Sequence, residues 1–223
     1  MPQRNKGTCS RVLIVDDHPA VREALALRIS RQPDLEICGE AADMAEAIQV
    51  FDATQPDVLV VDLSLRSGSG LDLIKRLKDR DASVRILVWS MHSESLYARR
   101  VLQAGALGYI NKDQATDRIV EAIRRVLEGK VWLSDTMTEI LLQRAVGANT
   151  QALDVSPVDA LSDRELEVFC LIGEGLKTAT IAERLHLSVK TVETYRDRIR
   201  TKLNLTSGAD LARAAAQWVL ENN

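Results

Sequence analysis

Four short apolar stretches run directly into residues that can do chemistry. Asp57-Val58-Leu59-Val60-Val61 is followed by Asp62, and Arg11-Val12-Leu13-Ile14-Val15 by Asp16 and Asp17. Ile86-Leu87-Val88-Trp89 is followed by Ser90, and Gly108-Tyr109-Ile110-Asn111 by Lys112. Unbroken β-branched and aliphatic runs of this length read as strands buried on both faces, as in a parallel sheet. Ligands bind at the carboxyl ends of such strands. If the first two stretches are neighbours, three carboxylates converge on one pocket, where like charges cannot all stay ionised without help. A hard divalent cation is the usual help, and Mg2+ takes oxygen ligands while keeping several waters. A carboxylate, a hydroxyl and an ammonium at three strand ends could hold a phosphoryl group on three sides. The bland alternative is that these are only polar loop starts. Four polar strand ends in one chain weigh against it.

The elements that must position these groups alternate. Helical spacing is read over residues 19–31, with Val21, Leu25 and Ile29 four apart and Leu27 alongside, and again over 44–51, 71–77, 96–104 and 119–127. Strands are read over 35–40, 84–89 and 107–110, besides those ending in Asp16 and Asp62. Residues 66–70, Arg-Ser-Gly-Ser-Gly, form a loop. Strict alternation of this kind predicts an α/β domain built on a doubly wound parallel sheet of five strands. A helical pattern follows over 131–145. Residues 147–159 then lose all periodicity and read as a linker.

The remainder, from Leu161 to Leu220, reads as helix throughout. Ser162 and Glu165 have the spacing of a capping box. A short helix over 178–185 is broken at Leu187, and Ser188 caps a longer one. Val192, Tyr195, Ile199 and Leu203 fall on one face of that helix. Short helix, tight turn, longer helix is the helix-turn-helix layout, whose second helix enters the DNA major groove. Residues 188–202 hold five basic and two acidic side chains. A fourth helix over 210–220 is rich in alanine. The stretch Gly173-Glu174-Gly175-Leu176-Lys177-Thr178 lacks phosphate-loop spacing and reads as a turn. His18 and His92 flank the acidic pocket as hydrogen-bonding or tuning residues, and His186 reads as a surface residue of the turn.

Taken together, Asp16-Asp17, Asp62, Ser90, Tyr109 and Lys112 resemble the receiver domain of two-component response regulators over roughly residues 10–130. Leu161-Ser162-Asp163-Arg164-Glu165, Ile181-Ala182-Glu183-Arg184-Leu185, Ser188-Val189-Lys190-Thr191-Val192 and Lys202-Leu203 are similar to the LuxR-type DNA-binding domain over residues 161–223. A receiver, a helical extension and linker over 131–160, and then that domain make up the layout of the NarL/FixJ subfamily. The resemblance implies a flavodoxin-like receiver with strand order 2-1-3-4-5 and a second, all-α domain of four helices. It implies a histidine kinase that phosphorylates Asp62, with Mg2+ held by Asp17, Asp62 and the Ser64 backbone carbonyl, and by Asp16 through water. Lys112 and Ser90 would contact the phosphoryl group, and Tyr109 would swing inward behind it. Glu193, Thr194 and Asp197 fall on the family's base-facing surface. Lys190, Thr191, Arg196 and Arg200 are candidates for phosphate contacts. Glu193 and Asp197 either accept from cytosine N4 or pair with Arg196, Arg200 or Thr201. Two positions depart from the common receiver pattern: Arg66 where many have proline, and Asp113 after Lys112.

Bulk properties agree. The chain has 223 residues, enough for two domains, and is 46% hydrophobic, which places it among globular proteins. A net charge of −3 excludes a histone-like polycation but not a local DNA-binding face. Cys9, Cys38 and Cys170 are scattered and odd in number, which fits a reducing cytoplasm. No apolar run is long enough for a membrane span, and residues 1–10 lack the apolar core of a signal peptide. The expectation is a phosphorylation-dependent transcriptional regulator, not an enzyme, binding double-stranded DNA as a homodimer. Its receiver would restrain the DNA-binding half until Asp62 is phosphorylated, and the small residues over 212–219 would allow a second copy close approach. A phosphohydrolase using an Asp nucleophile is the enzymatic rival, but Leu63-Ser64 supplies no second carboxylate after Asp62. A phosphorylation-independent DNA binder with a degenerate receiver is the third reading, and the intact set of pocket residues opposes it.

Overall fold

A computed structural model describes residues 9–65, 68–113, 118–145 and 157–222. The chain divides into two compact units, Met1–Thr138 and Glu139–Asn223. Arg66 and nearly all of the linker over 147–159 lie outside the described residues.

The first unit is built on strands β1 (Ser10–Val15), β2 (Leu35–Ala41), β3 (Val58–Val61), β4 (Arg85–Ser90) and β5 (Gly108–Asn111). All neighbours pair in parallel, in the order β2-β1-β3-β4-β5. Helices α1 (Pro19–Ser30), α2 (Met44–Thr54), α3 (Gly70–Arg80), α4 (Glu94–Gln103) and α5 (Ile119–Leu127) make the connections, and α6 (Asp135–Ala145) follows. This is the doubly wound sheet that the alternation predicts.

The apolar strand runs are explained by coverage on both faces. Val12, Ile14, Val58, Val60 and Leu87 form one buried cluster with Leu25 and Ile29 of α1 and with Ile119, Ala122, Ile123 and Val126 of α5. The alternate residues Leu13, Leu59, Val61, Ile86 and Val88 are buried as well, since successive side chains of a strand point to opposite faces. Helices α2, α3 and α4 pack side by side.

Register puts the chemistry at one edge. Val15 pairs with Val61, Val61 with Val88 and Val88 with Tyr109. The strands therefore end in line, and Asp16, Asp62, Ser90 and Lys112 emerge together. The backbone carries the alignment past the strand ends, with Asp62 N–H donating to the Val15 carbonyl at 2.8 Å and Lys112 N–H to the Ser90 carbonyl at 2.8 Å. Gly70 starts α3 so near this edge that a Cβ would lie 2.2 Å from the Asp62 carbonyl oxygen. Any side chain there would force the acceptor strand and α3 apart.

Two expectations need correction. Leu27 lies off the inward face of α1 and is 59% exposed, because it falls two residues from Leu25 and so on the far side of the helix. The helix read over 131–145 begins only at Asp135. Before it, Trp132 pairs with the free edge of β5, donating to the Leu107 carbonyl at 3.0 Å and accepting from Tyr109 N–H at 2.9 Å. An edge strand presents unpaired backbone groups, and this segment supplies their partners.

The second unit holds a 3-10 turn (Pro157–Ala160) and helices α7 (Asp163–Gly173), α8 (Thr178–Arg184), α9 (Val189–Lys202) and α10 (Gly208–Asn222). Ser162 and Glu165 form the expected capping box. Val192 and Ile199 of α9 are fully buried, with Tyr195 and Leu203 half-buried beside them. The alanine-rich α10 uses part of its small face inside this unit. Leu211, Ala215 and Val219 are buried, and Gly173 of α7 comes so near that a Cβ would lie 2.5 Å from the Ala215 carbonyl. Of the small residues over 212–219, Ala212 is the exposed one.

Candidate phosphoryl pocket and nucleic-acid interface

Asp62 follows β3 and is 4% exposed. Its Oδ2 accepts from the Lys112 ammonium at 2.7 Å, and the same ammonium donates to Asp16 Oδ2 at 2.6 Å. Burial alone would lower the Lys112 pKa. The charges and hydrogen bonds of Asp62 and Asp16 outweigh it and hold the pKa above the usual lysine value. Lys112 is thus a fixed cation. One ammonium faces three carboxylates, since Asp17 lies beside Asp16, and a net negative charge remains.

That remainder has an address. Asp62 Oδ1 and Asp17 Oδ1 are buried without a hydrogen-bond partner. His18 Nδ1 lies 2.7 Å from Asp17 Oδ1, in a geometry that does not form a hydrogen bond. Asp16, Asp17, His18 and Asp62 can each turn a ligand atom to within 4.8 Å of the others. Buried carboxylate oxygens without a donor are costly, and they suit a divalent cation that binds through oxygen. The residues present therefore fit the Mg2+ that the receiver resemblance implies.

On the far side of the pocket His92 is a hub. Its Nε2 is 2.9 Å from Ser64 Oγ, and its carbonyl accepts from the Tyr109 hydroxyl at 2.7 Å and from Asn111 Nδ2 at 3.0 Å. Its N–H approaches Ser90 Oγ at 3.4 Å. Ser90 is fully buried, and Tyr109 is 1% exposed. The Tyr109 ring thus lies inside. Burial pushes its phenol pKa far up, against the opposing pull of a hydrogen bond with Ser90, so it stays a neutral donor. The indole of Trp89 completes the wall, with the Lys112 ammonium 5.5 Å from its ring centroid. Sequence alone does not mark Asn111 and Trp89 as pocket residues, and it marks His92 as a hydrogen-bonding or tuning residue without its backbone role. The signal was available in part: all three lie within three residues of a strand end already identified.

In the second unit, Ser188 caps α9 by accepting from Thr191 N–H at 3.0 Å. The turn before it is closed by His186 at φ 52°. With Val192 and Ile199 turned inward, Lys190, Glu193, Thr194 and Asp197 form an exposed stripe at helical spacing. Thr191, Arg196 and Arg200 flank it, half-buried. Both acidic residues have partners. Glu193 accepts from Thr178 Oγ1 at 2.9 Å and lies 3.5 Å from Arg196, and Asp197 accepts from Arg200 at 2.6 Å. Thr194 Oγ1 donates to the Lys190 carbonyl at 3.0 Å.

A partly buried ion pair anchors α9. Glu165, 3% exposed, accepts from the Lys202 ammonium at 2.6 Å. Burial would raise the Glu165 pKa, but Lys202 and Ser162 together bring it below the usual value. A carboxylate whose folded pKa is depressed adds stability above its unfolded pKa, near ~4.3, and that stability is lost as pH falls through the folded value. Lys202→Met should raise the Glu165 pKa, start the acid loss at higher pH and cost about 1–2 kcal/mol at neutral pH. The Lys202 side chain is 39% exposed, which limits the size. Urea titrations from pH 7 to 4, followed by the Trp218 indole resonance, check this. Identical pH profiles for variant and wild type would refute it.

Comparison with known proteins agrees with both halves. Residues 12–124 match the response regulator receiver domain family, and residues 159–215 match the luxR family of bacterial regulatory proteins. The oxygen regulatory protein NreC of Staphylococcus epidermidis is 37% identical over 210 residues, covering 92% of this chain and 96% of that protein. The crystal structure of a LuxR-family two-component response regulator from Aurantimonas sp. SI85-9A1 is 34% identical. It covers 62% of this chain and 99% of its own, with a TM-score of 0.58. The RcsB response regulator in complex with DNA is 25% identical, covering 92% of this chain and 97% of that one, with a TM-score of 0.56. Among the described residues, no helix is long and apolar enough to cross a membrane. This chain belongs to the two-component response regulators of the NarL/FixJ type, phosphorylation-dependent transcriptional regulators that join a receiver to a LuxR-type helix-turn-helix domain.

Proposed function

We propose that Asp62 accepts a phosphoryl group from a sensor histidine kinase and that this controls DNA binding through α9. The observation that carries the reading is Asp62 itself, a buried carboxylate at the end of the central strand with one oxygen on Lys112 and the other without a partner. A carboxylate oxygen of Asp62 forms the new P–O bond as the P–N bond of the phosphohistidine breaks, and the electron pair leaves on the imidazole nitrogen. Lys112 is pre-positioned to take up charge on the phosphoryl oxygens without reorganising. Ser90 offers its hydroxyl to the same oxygens. Tyr109 and Asn111 hold the His92 carbonyl, and so keep the Ser90–His92 loop against the pocket. Asp17, Asp62 and the Ser64 carbonyl would hold Mg2+, with Asp16 acting through water. Bound there, Mg2+ neutralises phosphoryl charge.

Phosphorylation adds about −1.5 to −2 charge and three acceptor oxygens. In this reading that change favours a homodimer, whose two α9 helices meet two half-sites about one helical turn apart. The relative RcsB–DNA complex supports DNA as the partner. The pairing of Glu193 with Thr178 and Arg196, and of Asp197 with Arg200, supports orientation of the basic side chains as their role over acceptance from cytosine. Selection of bound DNA from a random pool, with and without a small phosphodonor, tests the reading. A paired motif enriched with the donor is expected, and no enrichment in either pool would overturn it. On the selected DNA, neutral substitution of Lys190, Arg196 or Arg200 should weaken all sequences alike and reduce the salt slope by about one unit each. Unchanged slopes would leave these residues as a solvated face.

A further inference from the structure

His18 is the N-cap residue of α1, yet its side chain makes no capping hydrogen bond. N-cap side chains ordinarily serve the first-turn N–H groups. This one turns toward the acidic pocket, with Nδ1 2.7 Å from Asp17 Oδ1 and 3.4 Å from Asp16 Oδ1. Pro19 fixes the helix start immediately after it. The His18 N–H is tied to Asp16 Oδ1 at 2.9 Å, which keeps the ring over the pocket. Lys112 occupies Oδ2 of both Asp16 and Asp62. The donors left over are Asp17 Oδ1, the buried and unpartnered Asp62 Oδ1, and the His18 ring.

The spacing suits one ion. With metal–ligand bonds of about 2.0–2.2 Å, adjacent octahedral ligands lie roughly 3 Å apart and opposite ones roughly 4.2 Å. The four candidate ligand atoms lie within 4.8 Å of one another, slightly wider than that shell, so a small rotation of the exposed His18 ring is what brings the set onto one ion. The His18 side chain is 66% exposed, so solvent ions reach it freely. An imidazole changes which ion is preferred. Carboxylate, carbonyl and water suit Mg2+, whereas imidazole suits first-row ions such as Fe2+, Ni2+ and Zn2+.

We infer that His18 supplies a nitrogen ligand to the cation pocket, making it a mixed oxygen–nitrogen site that holds a first-row transition ion more tightly than the carboxylates alone would. The inference rests on the reading that Asp17 and Asp62 hold a divalent cation, and it adds a ligand and an ion class to that site.

Calorimetric titration of the full chain with Ni2+ and, separately, with Mg2+ tests it in wild type, His18→Asn, Asp17→Asn and His186→Asn. For His18→Asn, Ni2+ affinity should fall about 10–100-fold while Mg2+ affinity stays within about threefold. The retained Mg2+ affinity also reports an intact pocket. His186→Asn, in the other unit, should change neither. Unchanged Ni2+ affinity in His18→Asn overturns the inference. So does an equal fall for both ions, because His18 would then shape the pocket without ligating. If Asp17→Asn changes neither ion, the cation pocket itself is wrong, and the inference falls with it.

Discussion

Lys112→Met should destabilise the receiver by about 3–5 kcal/mol, the usual cost of removing one partner from a buried ion pair. The methionine fills a similar volume beside Trp89, so the loss is electrostatic. Asp16 and Asp62, 2% and 4% exposed, would be left without their shared cation. The 7% exposure of the Lys112 side chain leaves little solvent screening to soften this. Adding Asp62→Asn to Lys112→Met should recover part of the loss, because one of the crowded charges goes. Millimolar Mg2+ should also recover part of it, since an ion that binds only the folded state stabilises by mass action. Urea titration with an unchanged m-value measures all three effects. A loss under about 1 kcal/mol for Lys112→Met would mean that the pocket admits water freely and that the ammonium is an exposed counter-ion.

Asp62→Asn should abolish the acid-labile phosphoryl adduct while leaving the fold intact. The amide keeps the shape of the carboxylate, and Lys112 keeps Asp16 as its ion-pair partner. An amide oxygen does not act as the nucleophile here, and no other carboxylate has the same place. Asp16 is engaged by Lys112 and by the His18 N–H, and the Arg22 guanidinium donates to its carbonyl. Asp17 begins the loop one residue further on. The check is incubation with a small phosphodonor and Mg2+, followed by peptide mapping of the adduct. An adduct on Asp16 or Asp17, or full labelling of Asp62→Asn, would show that the acceptor has been misidentified.

Much of this site is legible before any coordinates, for a physical reason. Parallel strands are buried on both faces, so they are written as unbroken apolar runs, and the polar residue that ends each run marks the functional edge. Asp16, Asp62, Ser90 and Lys112 are found this way. The helix caps are equally plain, because the Ser162–Glu165 capping box and the Ser188 cap on Thr191 N–H act over three residues. Long-range backbone contacts leave no such trace. The role of His92 depends on its carbonyl, reached by Tyr109 and Asn111 from another strand, and a carbonyl has no sequence signature. Trp132 pairs with β5 through a single bridge, too short to show a period, and so reads from sequence as part of the helix that follows. Leu27 reads as lying alongside the apolar stripe of α1 because it is apolar and near it, although its angular position excludes it. Pairing of Glu193 and Asp197 was one of two readings open from sequence. The i to i+3 geometry on α9, together with Thr178 reaching Glu193 from α8, favours it.

Control of DNA binding by the state of Asp62 is tested most directly by one titration. The affinity of the full chain for its selected operator is measured before and after treatment with a phosphodonor and Mg2+, with Asp62→Asn in parallel. Wild type should tighten by about 5–150-fold, the usual 1–3 kcal/mol of coupling between two sites, and its dimer fraction should rise. Asp62→Asn should show no change on either count. Equal wild-type affinities before and after, with Asp62 demonstrably phosphorylated, would contradict it.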